Sequence, residues 1–272
     1  MAAEIVAGAL LGLLIGSFLN VCIYRMPRDL SVVSPRSYCP LCETPIAWYD
    51  NLPLVSFLLL GRRCRHCRGA ISWRYPAVEL LTAATFSIVG WKFGFTWVAV
   101  KACVFSGLLI GLIFSDIEER ILPDQFTIGG AAAGLAFAAA LPMDSFFMRL
   151  LLPPGWGPRI HSVGEALLAM TVAAGSLWLI GELYYRVRKI EGLGLGDVKM
   201  VAMMGTFLGL QGTLFTLILG SVAGSVLGLL LVFALRKDAR TYELPFGSFL
   251  GVAALATGVW GPALAGWPGA SW

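Results

Sequence analysis

The sequence predicts an all-α polytopic membrane protein with about eight transmembrane helices and a small cytoplasmic zinc-binding loop domain between the first two. Three observations carry that prediction. Of the 272 residues, 58% are hydrophobic and only 13% are charged, with a mean hydropathy of +0.79, whereas soluble domains carry about 25% charged residues. The apolar residues gather in runs near the length that crosses a hydrocarbon core of ~30 Å as helix. One interruption, residues 25–75, is basic, punctuated by proline and holds four of the six cysteines. This composition excludes a soluble globule, a disordered chain and a disulfide-dense secreted scaffold.

The runs are residues 5–24, 76–90, 97–114, 126–141, 163–184, 198–210, 213–235 and 246–267. The second, fourth and sixth are short for one crossing, and only Gln211 and Gly212 part the sixth from the seventh. The first is read as a retained helix and not a cleaved leader, because Glu4 stands where a leader is basic and the positive charges follow the run. With the amino terminus outside, sixteen of the 20 Lys and Arg residues fall on the inner side; the four on the outer side are Lys92, Lys101, Arg149 and Arg159. That positive-inside bias places both termini outside and residues 25–75 in the cytoplasm. The expected organisation is therefore helix 1 over 1–24, a metal-binding domain over 25–75, and helices 2 to 8 with the reactive core over 76–272. Residues 142–160, with Pro153, Pro154, Gly155, Gly157 and Pro158, read as an irregular outer loop.

The cytoplasmic segment contains Cys39-Pro-Leu-Cys42 and, after 21 intervening residues, Cys64-Arg-His-Cys67. Two such pairs suit tetrahedral zinc, since each tight turn aims two thiolates at one point and four sulfurs close the site. A closed site is structural, and zinc supplies the folding free energy that so short a segment cannot obtain by apolar burial. Two disulfides or unligated thiols are the other readings, and His66 is a further possible ligand. Cys22 and Cys103 lie in apolar runs and read as packing residues. The arginine surplus suits a solvated surface, an anionic-lipid contact or an acidic partner; no nucleic-acid-binding fold accompanies it, so nucleic acid is not expected.

Ionisable residues against hydrocarbon cost ~2.5–3.5 kcal/mol at a helix centre, so each needs a reason. Asp116 follows the third run directly, and Asp197 opens the sixth within Gly192-Leu-Gly194-Leu-Gly196-Asp197. In the expected topology both meet the membrane at its cytoplasmic side, where they can converge. Gly194 and Gly196 permit positive φ or the close approach of an extended chain. Read singly, Asp197 is also a helix cap, Asp116 also pairs with Arg120 at i, i+4, and Asp124 is a first-turn cap. Together, two aspartates that cannot both ionise easily suit aspartyl proteolysis, in which one holds a proton and the other takes one from the attacking water. With His66 and His161 as the only histidines, a serine triad is hard to assemble. A proton-coupled transporter with a regulatory zinc domain is the alternative, although it would place its carboxylates near the midplane. A scaffold of a secretion assembly ranks last, because it leaves both carboxylates without a purpose.

The order Gly16-Ser-Phe-Leu-Asn20-Val-Cys-Ile-Tyr-Arg25-Met-Pro27, the two C-x-x-C pairs around Trp48-Tyr-Asp50-Asn51-Leu-Pro53, then Glu79-Leu-Leu, Asp116 and Gly194-Leu-Gly-Asp197-Val-Lys199 resembles the bacterial prepilin peptidases. These are the type IV leader peptidases of the G-x-G-D aspartyl protease class, and the likeness covers nearly the whole chain. The resemblance implies a bacterial inner-membrane enzyme that removes the short basic leader of type IV prepilins and type II secretion pseudopilins at the cytoplasmic face, after a glycine. By motif position it makes Asp116 and Asp197 the catalytic pair and Cys39, Cys42, Cys64 and Cys67 the zinc ligands. It also implies N-methylation of the new amino terminus with S-adenosylmethionine as donor, an activity associated with the four-cysteine segment; no residues are assigned to that donor. Glu118, Glu119 and Glu191 are expected to attract the basic leader, with Gly194 and Gly196 beside the extended substrate.

Overall fold

The computed structural model describes residues 1–153, 155–190, 192–235 and 245–265. Among these the chain is helical and contains no β-strand, only two isolated bridges. The α-helices are α1 (Ala2–Arg25), α2 (Val55–Leu59), α3 (Arg74–Phe93), α4 (Trp97–Glu119), α5 (Asp124–Ala140), α6 (Phe146–Leu151), α7 (Pro158–Arg188), α8 (Leu195–Leu235) and α9 (Phe246–Ala265). Among the described residues, four stretches are long and apolar enough to cross a membrane: Ala2–Arg28, Trp97–Glu119, Pro158–Arg188 and Leu195–Leu230. Large apolar side chains point outward from them, among them Leu14 and Phe18 of α1, Ile180 of α7 and Ile218 of α8. Exposure on that scale is stable against lipid, not water, and the chain is a multi-pass membrane protein.

The sixth and seventh runs form one element, α8, broken at Gly209 (φ 68°, ψ 178°). The break falls two residues before the Gln211-Gly212 division read from composition. The reason is a buried acid inside the fifth run. Glu165 of α7, 2% exposed, accepts the Leu210 N–H at 3.3 Å and the Met148 N–H at 2.9 Å. The break takes Leu210 out of the regular helix ladder, and the carboxylate replaces the carbonyl it lacks. A Cβ at Gly209 would stand 3.3 Å from Glu165 Cγ, in a left-handed conformation that already favours glycine.

The same acid corrects the outer-loop expectation. Residues 142–160 are not wholly irregular: they contain α6, whose start Glu165 caps, and Met143 and Ser145 are buried. Ser162 Oγ donates to the Ala138 carbonyl at 2.7 Å and accepts the Met143 N–H at 3.0 Å.

The chain divides into two compact units, Met1–Phe114 and Ser115–Trp272, with the division inside α4. In the first, α1 lies along α3 with their backbones close. A Cβ at Gly12 would meet Ala83 Cα at 2.6 Å and one at Gly16 would meet Glu79 Cα at 2.7 Å, the small-residue packing of helices in lipid. Polar groups where these helices leave the apolar region hold the loop segment. Glu79 Oε2 accepts the Leu54 N–H at 2.8 Å, Asn20 Nδ2 donates to the Tyr75 carbonyl at 3.1 Å, and buried Arg25 donates to the Ser31 carbonyl at 2.9 Å. In the second unit α5, α7 and α9 pack on α8. Gly205 is one point of close approach, where a Cβ would stand 2.8 Å from the Met170 amide nitrogen.

Candidate active site and metal-binding cluster

Two knuckles of matching design form the cluster in the first unit. After Cys39-Pro-Leu-Cys42, Glu43 takes φ 55°, its N–H donates to the Cys39 carbonyl, and the Cys39 N–H donates to the Thr44 carbonyl at 3.0 Å. After Cys64-Arg-His-Cys67, Arg68 takes φ 57°, its N–H donates to the Cys64 carbonyl, and the Cys64 N–H donates to the Gly69 carbonyl at 2.9 Å. One bridge closes each knuckle, Tyr38 with Pro45 and Arg63 with Ala70. Where the knuckles meet, a Cβ at Gly69 would touch Leu41 Cδ1, and the exposed Leu41 side chain would have to turn aside.

The four sulfurs lie within 4.8 Å of one another, with Cys39 to Cys67 and Cys42 to Cys64 each at 4.0 Å. Bonds of ~2.3 Å from one tetrahedral ion put sulfurs about 3.8 Å apart, so this donor set fits a metal. It does not fit disulfides, whose sulfurs lie about 2.05 Å apart, and all four cysteines are free thiols. The Thr44 hydroxyl and backbone beside Cys42 hold its thiol down at about 6, which favours the metal-binding thiolate. Asp50 of the Trp48–Asn51 turn grips Arg65 of the second knuckle with two hydrogen bonds, at 2.7 and 2.6 Å. His66 is not in the sulfur cluster.

The paired carboxylates lie wholly in the second unit. Asp116, buried in the last turn of α4, points to the first turn of α9. There its Oδ2 accepts both the N–H and the hydroxyl of Ser248, each at 2.7 Å. Asp197, half-buried in the first turn of α8, is anchored by the Gly194 carbonyl, which accepts the Asp197 N–H at 3.1 Å.

Gly247 joins the two. A Cβ built on it would stand 3.2 Å from Asp116 Oδ2, 3.2 Å from Asp197 Oδ1 and 3.2 Å from Leu122 Cδ1. The two carboxylate oxygens are therefore separated by no more than twice that distance, beside a residue that has no side chain.

Local structure brings Leu122 to the same point. The Arg120 N–H donates to the Asp116 carbonyl with Arg120 at φ 56°, and Ser115 Oγ donates to the Ile121 carbonyl at 2.8 Å, so the chain doubles back as α4 ends. A Cβ at Gly196 would stand 3.2 Å from Leu122 Cβ, so this glycine serves close approach. Neither Gly194 nor Gly196 is at positive φ, so of the two alternatives close approach is the one seen at Gly196; among the described residues positive-φ glycines are Gly61, Gly94 and Gly209. A Cβ at Gly194 would lie 3.4 Å from Asp197 Oδ2.

The Asp116 carboxylate goes to Ser248 and not to Arg120. Asp124 does begin α5, but its carboxylate takes Lys199 Nζ at 2.7 Å, tying the start of α5 to that of α8. Glu118 is exposed and Glu119 half-exposed at the end of α4, while Glu191 lies outside the described residues. Sequence reasoning missed Gly247 and Ser248. Pro245-Phe-Gly-Ser248 looks like an ordinary helix start, and nothing local tells that it meets an acid 132 positions away.

Comparison with known proteins agrees with both halves of this description. Residues 10–93 match the family described as the bacterial peptidase A24 N-terminal domain, and residues 103–229 match the type IV leader peptidase family. A prepilin leader peptidase/N-methyltransferase of Myxococcus xanthus is 41% identical over 232 residues, 85% of this chain and 64% of that protein's length. Proteins of the same name from Pseudomonas aeruginosa and Neisseria gonorrhoeae are each 32% identical. The first match covers 95% of this chain and 91% of the relative, the second 90% and 86%. No solved structure matches the chain.

Proposed function

The chain belongs to the type IV leader peptidase family, and from that premise we propose that it is a prepilin peptidase whose catalytic pair is Asp116 and Asp197. It removes the basic leader from type IV prepilins and pseudopilins and methylates the amino terminus so exposed. The supporting observation is the convergence of two carboxylates, from the ends of different helices, on Gly247, a residue with no side chain to stand beside their oxygens.

The chemistry follows from charge. Two carboxylates this close share a proton, and the pair titrates as a unit. Water between them gives a proton to the ionised member as its oxygen bonds to the scissile carbonyl carbon. The protonated member gives its proton to the carbonyl oxygen, forming a neutral tetrahedral diol. Collapse of the diol breaks the C–N bond as the proton held by the first carboxyl passes to the leaving amine and one diol hydroxyl returns its proton to the second carboxylate, which restores the pair. Leu122 lies against the same point, its Cδ1 3.2 Å from where a Gly247 Cβ would stand.

The loop domain, residues 25–75, takes zinc through Cys39, Cys42, Cys64 and Cys67. There the metal supplies folding free energy and no chemical step. S-adenosylmethionine is the methyl donor by analogy with the relatives' names, and no residue is assigned to it. The enzyme lies in the bacterial inner membrane with eight crossings, both termini outside and the pair at the cytoplasmic face. A prepilin then lays its hydrophobic helix among the spans, and its basic leader meets Glu118, Glu119 and Glu191, with the scissile segment beside Gly194 and Gly196.

Incubating the purified protein with a prepilin peptide, with and without S-adenosylmethionine, tests both reactions in one intact-mass spectrum. The expected products are the leader-free peptide in both samples and a species one methyl group heavier in the second. An uncut peptide under conditions where the protein stays folded would overturn the reading.

A further inference from the structure

We propose that Ser248, in the first turn of α9, makes Asp116 the ionised member of the catalytic pair and Asp197 the proton carrier. The inference rests on the reading of these two as the catalytic pair and adds the assignment of their separate roles. Both donors that Ser248 owns go to one oxygen, Asp116 Oδ2, at 2.7 Å each. The N–H is shared with the Pro245 carbonyl at 3.1 Å, while the hydroxyl adds the donor that a plain backbone turn would lack. Hydrogen bonds to a charged acceptor are about twice as strong as neutral ones, and they favour the acceptor's charged form. The amino-terminal end of α9, where backbone N–H groups lack helical acceptors, adds a positive partial charge that offsets the negative one at the end of α4, where Asp116 sits.

Asp197 is held differently. Its N–H, not its carboxylate, makes the bond to the Gly194 carbonyl, and the space facing its Oδ1 is bounded by Gly247 and Leu122. Its place in the first turn of α8 gives Asp197 a helix-end partial charge comparable with the one α9 gives Asp116, so the two donors of Ser248 are what separate the acids, and a second negative charge beside Asp116 is costly. The proton of the pair therefore resides on Asp197. Among the described residues, the charged groups on the elements around Asp116 are Asp197 of α8, Glu118 and Glu119 of its own helix, Arg120 directly after that helix, and the Asp124–Lys199 ion pair joining α5 to α8. The stretch from Pro245 to Phe249 contributes none, so Ser248 acts by hydrogen bonding and not by a charge of its own.

With Oδ2 engaged by Ser248, Oδ1 is the oxygen that receives the proton of water. The new C–O bond then forms from that water oxygen, and the carbonyl π pair moves to the carbonyl oxygen, which takes the Asp197 proton. Ser248 is thus a positioning residue: it touches the base and not the substrate.

The test is the kcat and KM of S248A, S248T and the parent enzyme on a prepilin peptide across pH, with thermal unfolding of each. S248A keeps the N–H and loses the hydroxyl. The expected result is a kcat lower by about tenfold to a hundredfold with KM little changed. The acidic limb of the kcat profile should move to higher pH by about one unit, because a carboxylate that loses a donor is protonated more readily. S248T should restore both. An S248A enzyme with an unmoved acidic limb would overturn the proposal, whether kcat is unchanged or falls in step with stability. Should S248A not fold, S248T alone decides, since it must keep the parent's limb. D116N and D197N enzymes that still cleave would sink the catalytic pair itself, a result separate from any outcome at Ser248.

Discussion

The four-cysteine cluster and the two-aspartate pair both bring reactive side chains to a point, but over very different lengths of chain. In the cluster each half is a four-residue knuckle, and the halves are joined by a short segment, with Cys42 and Cys64 only 22 positions apart. Each knuckle fixes its sulfurs by its own backbone bonds and one left-handed residue. The pair has no such local frame. It needs the end of α4, the doubled-back chain at Leu122, the start of α8 and the first turn of α9 to arrive together, with one contact spanning 132 positions. Local assembly makes the cluster a folding unit that a metal can stabilise outright. Distant assembly makes the pair an outcome of helix packing, sensitive to a single added carbon.

The largest effect that could break the comparison is at the cluster. Cys39→Ser or Cys64→Ser removes one of four thiolates from a site whose binding free energy is about 10–16 kcal/mol in comparable peptides. Metal analysis of the purified variants should show zinc falling from one per chain to near none, and residues 25–75 should become sensitive to limited proteolysis. Stoichiometric zinc in either variant would contradict a four-thiolate site. The carboxylates lie in another unit, built by other contacts, so leader cleavage should outlast that damage, with methyl transfer lost first.

A second expectation sharpens the contrast from the other side. Gly247→Ala adds one carbon 3.2 Å from both carboxylate oxygens, tighter than an ordinary contact, at a site where the helical backbone is compatible with alanine. Cleavage should fall about a hundredfold or more while zinc content and thermal stability stay near the parent's, because water loses its place between the acids. An enzyme of parental activity would mean that the pair does not work across Gly247.

The two regions were also unequally legible in the sequence. The knuckles could be read because C-x-x-C spacing is itself the local geometry, and the structure adds only the distances. Asp116 and Asp197 could be found as acids at the ends of apolar runs, and the family resemblance paired them. What joins them could not be read: Gly247 and Ser248 sit in an unremarkable helix start, and the motif alone did not decide between positive φ and the close approach of Leu122 that Gly196 serves. Glu165 was passed over because it lies inside an apolar run. Its backbone partners, Met148 and Leu210, show why an acid is kept there and why α8 breaks at Gly209.

The smallest expected effect concerns charge near the pair. Reversing Glu118, Glu119 and Glu191 to lysine should raise KM for a basic-leader peptide a few-fold and weaken its salt dependence, as for exposed charges screened over about 10 Å. Steady-state kinetics at two ionic strengths would show it. Unchanged kinetics would leave these residues as surface and the catalytic pair untouched.

The central claim is that Asp116 and Asp197 act as one unit. It is tested most directly by the cleavage rate of D116N, D197N and the double variant on a prepilin peptide, followed by intact mass, with insertion and zinc content verified for each. Each single variant should lose about a thousandfold or more, and the double variant should be no worse than the singles, since one loss already leaves no partner to share the proton. Parental cleavage by either single variant would contradict the claim, as would separate losses that multiply in the double.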